Sequence, residues 1–101
     1  MASLEKLARG KPCYLRLPGV CNGNPDTTVL CHIRRGNTGG TGIKPPSICA
    51  VPMCFDCHNA FDGRYKAHGY TQAELDAEAL RAQNQWLAWL WNHEIIIVVA
   101  A

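Results

Sequence analysis

The run Cys54-Phe55-Asp56-Cys57-His58 constrains this chain more than any other feature. A CxxC turn presents two thiolates to one ion, and zinc takes four such ligands in a closed tetrahedron. Cys13 and Cys21 lie upstream and supply a second pair. A site built from Cys13, Cys21, Cys54 and Cys57 would tie an N-terminal segment to the helix expected after Cys54. The seven residues between Cys13 and Cys21 make a wide gap for a knuckle, whereas the CxxC half is a strong signal. Structural Zn2+ is the expected occupant, because metal binding is folding energy in a domain with little core. His58 does not easily join the same tetrahedron, which leaves an imidazole beside it for other chemistry.

At 101 residues the chain suits one domain, expected over 1–94, with a short apolar tail at 95–101. A domain this small buries only about 60–65% of its unfolded-chain surface, so a metal staple helps it. Six cysteines also admit a disulfide-rich secreted domain, which would hold no zinc and no free thiols. The CxxC-His grouping favours metal, and Met1-Ala-Ser-Leu-Glu-Lys has no apolar leader core. Cys31 and Cys49 fall outside the pairing and are expected as small buried apolar residues. Ile95 to Ala101 is too short to span a bilayer. The expectation is a soluble cytoplasmic protein with no membrane partner.

Charge divides the chain. Residues 1–70 hold nine Lys/Arg against four Asp/Glu, and residues 71–101 hold one against four. The basic part carries the metal motif, which suits a polyanionic partner, although uneven charge on a solvated surface gives the same count.

Ser3 to Arg9 reads as a short helix with Ser3 as N-cap and Gly10 as stop. Residues 11–31 read as a small β-rich ribbon, with turn signals at Pro18-Gly19 and Asn22 to Asp26 and a strand at Thr27 to Cys31. Gly36 to Pro46 reads as a functional loop. Ile48 to Met53 is a second strand, and a helix runs from the knuckle to about Asp62-Gly63. Thr71 and Glu74 form a capping box, and Leu75, Ala79, Ala82, Trp86 and Leu90 follow at helical spacing, predicting a terminal helix over about 71–93. Trp86, Trp89 and Trp91 cannot all face one way.

His32 follows the first long strand and precedes Arg34-Arg35. A lone histidine is commonly structural, yet a neutral imidazole held in place can take a proton from water. His58 and Asp62 stand at i and i+4, on one helix face. Spacing alone suits an open divalent-ion site or a plain helix-end pair equally well. Arg34, Arg35, Lys44 and Arg64 cluster around these positions and could track a phosphate backbone.

Together these residues resemble an HNH (ββα-metal) endonuclease. That pattern joins a cysteine pair, a strand ending in a histidine, a glycine-bearing loop, and a helix opened by CxxCH. Here these are Cys13/Cys21, Val29-Leu-Cys-His32, Arg34 to Gly42, and Cys54-Phe-Asp-Cys-His58. The closer likeness is to small phage and prophage proteins of the YbcO type, over Arg9-Gly-Lys-Pro-Cys13, Leu17 to Pro25, His32-Ile-Arg34, Gly40-Thr-Gly42, Lys44-Pro-Pro46 and Cys54 to Asp62. Ref, a phage recombination nuclease, carries a similar domain. The implied fold is α+β: a small zinc-stapled ββα-metal domain, ribbon and core at about 11–66, with a C-terminal amphipathic helix.

The resemblance implies a metal-dependent endonuclease acting on DNA with low sequence specificity, in a phage or prophage recombination or DNA-processing setting. His32 would be the general base. His58 and Asp62 would hold the catalytic ion, Mg2+, Mn2+, Zn2+ or Ni2+. Arg34 and Arg35 would hold the phosphate, and Lys44 and Arg64 would bind DNA. The likeness to Ref adds a recombinase to the partners to be tested. Nothing in the sequence specifies an oligomeric state. Two departures stand out: Cys31 occupies a position that is often Asp or His and ligates metal, and Ser47 lies nearest the missing middle asparagine. Both suit the alternative of a non-catalytic zinc-ribbon module that binds nucleic acid or a recombination partner. The coincidence of His32, His58 and Asp62 suits the enzyme.

Overall fold

The computed structural model describes residues 3–35, 44–63 and 68–99. Most of the predicted glycine loop and Arg64 lie outside them. The elements run α1 (Leu4–Ala8), β1 (Val29–His32), β2 (Ala50–Met53), α2 (Phe55–Phe61) and α3 (Gln72–Asn92), an α+β arrangement. Among the described residues no helix is long and apolar enough to cross a membrane.

Local sequence explains the helix ends. Ser3 caps α1 by accepting from Lys6 N at 3.1 Å. Thr71 accepts from Glu74 N at 3.1 Å, and Glu74 Oε1 accepts from Thr71 N at 2.9 Å, completing the box that opens α3. The Thr71 backbone bond, then its side-chain bond, holds the Glu74 carboxyl below its ordinary range. The cap's charged contribution is therefore complete above that range and fades as pH falls through it. α2 ends at Asp62, and Gly63 follows at φ +77°, where a side chain would be strained.

β1 and β2 pair antiparallel, Val29 opposite Met53 and His32 opposite Ala50. Pro52 can stand in β2 because its far edge needs no further strand. There its carbonyl accepts from Tyr14 N at 2.9 Å. α3 buries Leu75, Ala79, Ala82, Trp86 and Leu90, the stripe read from the sequence. Trp86 is fully buried, and stacks on Trp89 with ring centres 5.4 Å apart, whereas Trp91 is 54% exposed.

Residues 11–28 differ from the expected β ribbon. They carry no strand; the chain there is turns and a single 3-10 turn at Pro25–Thr27. Pro12, Pro18 and Pro25 remove ladder donors, and Arg16, Gly19 and Gly23 adopt positive φ. Leu15 and Leu17 are nevertheless fully buried in the core beside Cys13. Arg81 of α3 pins this segment by donating to the carbonyls of Tyr14 at 3.1 Å and Leu15 at 2.6 Å. A second difference is Cys49, which is half-buried just outside β2 instead of packed in the core.

Candidate functional site

Among the described residues, two groups of side chains could hold a metal ion. In the first, the sulfurs of Cys13, Cys21, Cys54 and Cys57 all lie within 4.8 Å of one another. Cys54 Sγ and Cys21 Sγ are 3.9 Å apart. A tetrahedron with Zn–S bonds of about 2.3 Å has edges of roughly 3.8 Å, so the donor set fits. Backbone amides turn toward the sulfurs: Arg16 N donates to Cys13 Sγ and Cys57 N to Cys54 Sγ, each at 3.4 Å.

A hydrogen bond between Cys57 and Cys13 is the largest cause that lowers the Cys13 pKa and raises that of Cys57. Burial raises Cys57 further. Crowded thiols sharing a proton are an arrangement that a cation can replace. The knuckles are tied together by Asn22, whose amide donates to Asp56 Oδ2 at 3.0 Å and to Thr27 Oγ1 at 3.2 Å. All six cysteines are free thiols.

The second group is Cys31, His58 and Asp62, with one ligand atom from each lying within 4.8 Å of the others. The i, i+4 spacing on α2 sets His58 Nε2 2.9 Å from Asp62 Oδ2. Cys31 reaches them from β1 and is only 1% exposed. It is buried in the core as expected, and it also lies beside this pair. The signal was present in its position, one residue before His32, where the resembled pattern often carries a ligand.

A cleft of about 710 Å³ opens beside this group, lined by His32, Arg34, Arg35, Asp62, His68 and Tyr70 among others. His32 ends β1 with its side chain 11% exposed. Its Nε2 is buried without a hydrogen-bond partner, and Glu5 Oε1 lies 3.9 Å away. Burial holds the His32 pKa below the ordinary imidazole range. Lys44 lowers it further, Glu5 opposes this, and Arg34 lowers it again. The ring is therefore neutral at neutral pH and able to accept a proton.

The predicted cations are placed unequally. Arg34 and Arg35 both line the cleft. Arg35, however, pairs with Asp76 Oδ1 at 2.9 Å, and its guanidinium lies 4.7 Å from the Phe61 ring centre. Lys44 is exposed and does not line the cleft, although its charge acts on His32. Sequence reading missed His68 and Tyr70, which also line the cleft. His68 Nδ1 accepts from Tyr70 N at 2.9 Å, and the Tyr70 hydroxyl donates to the Pro18 carbonyl at 2.6 Å. The polar-aromatic run just before the Thr71 cap was the available signal.

Comparison with known proteins gives a consistent answer. A family model described as "Putative nuclease YbcO" matches residues 2–89. A protein of that description from Escherichia coli (strain K12) is 46% identical over 89 residues, covering 86% of this chain and 93% of its own length. One from Enterobacteria phage 82 matches to the same extent. A solved structure, a "putative bacteriophage protein" from Escherichia coli K-12 MG1655, superposes with TM-score 0.74 at 35% identity. That alignment covers 90% of this chain and 99% of the other.

Proposed function

This chain belongs to the YbcO family of nuclease-named proteins, and on that premise we propose that it is a metal-dependent DNA endonuclease with a zinc-stapled HNH (ββα-metal) core. The observation that carries the proposal is the meeting of His32 and Asp62 on one cleft, with His58 and Cys31 close to Asp62. A polyanion has reason to enter there, because Arg34 and Arg35 stand on its wall. A phage or prophage DNA-processing role accords with the phage relative, and a recombinase is the partner to be tested.

In this reading His32 takes a proton from a water aligned on the phosphorus. The water oxygen bonds to phosphorus as the bond to the 3′ oxygen breaks, and that oxygen then takes a proton from solvent. The products are a 5′-phosphate and a 3′-hydroxyl. Arg34 holds the phosphate. Arg35 contributes charge while Asp76 anchors its guanidinium, and Lys44 steers the DNA backbone. Arg64 is assigned to the same DNA path from sequence. Cys31, His58 and Asp62 would hold a divalent ion, which would supply Lewis-acid stabilisation of the charge that develops on the phosphate. Zn2+ in the four-cysteine site stabilises the fold alone.

The nicks should be sealed by DNA ligase without prior phosphorylation. Nicks that resist ligation until their ends are repaired would contradict this bond assignment.

Cys31 narrows the choice of ion. A thiolate favours Zn2+ over hard Mg2+, which imidazole and carboxylate alone would not decide. Cys31→Ala should weaken the second equivalent of bound Zn2+, by at least the roughly 10–100-fold that losing a mere supporting partner costs. Equilibrium dialysis reads this without any activity assay. An unchanged second equivalent would remove Cys31 from the ligand set.

A further inference from the structure

His32 faces a carboxylate from a distant part of the chain. Glu5 sits in the first turn of α1, a helix whose start is set by Ser3 and which packs on β1. Its Oε1 accepts a hydrogen bond from the Ser47 hydroxyl, 42 residues away in sequence. That same oxygen lies 3.9 Å from His32 Nε2, a buried atom with no partner. The separation exceeds the usual 2.7–3.2 Å of such a bond, about the looseness common at catalytic groups before substrate binds. Orphaned buried nitrogens are rare, and a shift of less than about 1 Å would close this one.

We propose that Glu5 is a positioning residue for His32: its carboxylate, pinned by Ser47, takes the Nε2 proton and leaves Nδ1 as the basic edge that meets the cleft. A neutral imidazole has one N–H, and its neighbours decide which nitrogen carries it. A carboxylate only accepts, so it selects Nε2–H. Nε2 is fully buried while the ring lines the cleft, so the Nδ1 edge is the one that water can reach. Ser47 thereby gains a role as the residue that holds Glu5 in place. This inference rests on His32 being the base.

Two readings test it. In the nitrogen-15 imidazole spectrum, assigned by comparison with His32→Ala, wild-type His32 should carry its proton on Nε2. Glu5→Gln should shift protonation toward Nδ1. In nicking, Glu5→Gln should lower kcat tenfold or more, part of the roughly 10²–10⁴-fold that a general base contributes. KM for DNA should stay within about twofold, and Glu5→Asp should restore part of the loss. Glu5→Gln should add nothing in a His32→Ala background. A proton on Nδ1 in the wild type, or wild-type kcat in Glu5→Gln, would overturn the proposal. Absence of nicking by the wild type would sink the nuclease reading instead, and the spectrum would still decide Glu5.

Discussion

Replacing His32 by alanine should slow DNA nicking by about 10²–10⁴-fold, the usual contribution of a general base, in a protein that remains folded and keeps its zinc. The ring closes β1 at the edge of the cleft and is neutral at neutral pH. Burial and the charges of Lys44 and Arg34 lower its pKa against the opposing charge of Glu5. Its loss removes a buried nitrogen that has no hydrogen-bond partner, which offsets part of the cost of trimming a packed side chain. Neither metal-ligating group includes this residue, so metal content should not change. Single-turnover nicking and zinc stoichiometry, measured on one preparation, check both halves. Cutting at the wild-type rate would withdraw the base from His32.

Replacing Cys57 by serine should remove the fold itself. The thiol is fully buried in the first turn of α2 and packs in one core cluster with Leu15, Leu17 and Ala60. Structural zinc in small domains binds with an apparent 10–16 kcal/mol, about as much as the whole net stability of 5–15 kcal/mol in a typical domain. A chain of 101 residues has little else to draw on. The variant should lose one zinc by native mass spectrometry and its cooperative urea transition. Cys49→Ser is the control, because Cys49 is half-buried and belongs to neither metal-ligating group. It should keep both the metal and the transition. A Cys57→Ser protein that unfolds like the wild type would show that no metal supports this core.

Features encoded by neighbours in sequence were legible before the structure. The Thr71–Glu74 box and the Leu75-to-Leu90 stripe of α3 need only helical periodicity, and the His58–Asp62 pair needs only the α2 turn. The four cysteines were legible because thiolates at those spacings have few other uses. Features made by packing between distant segments were not. Cys31 meets His58 because β1 pairs with β2, on which α2 packs. Arg35 is drawn to Asp76, 41 residues on, and no local pattern marks that pairing. Glu5 reaches His32 and Ser47 only once α1 has packed on β1. The supposed ribbon of residues 11–28 failed for a different reason. Leu15 and Leu17 are buried, but prolines and positive-φ turns prevent a ladder.

The central claim is that His32 and the Cys31–His58–Asp62 group form one metal-dependent phosphodiesterase centre. Its most direct test is nicking of supercoiled plasmid by protein that retains its structural zinc, after mild chelation and return of Zn2+, Mn2+, Ni2+ or Mg2+. The account predicts no nicking without added ion and restored nicking with it, led by the thiophilic ions. Failure of a folded, zinc-bearing protein to nick with any of them would contradict it and leave a zinc-stapled binding module.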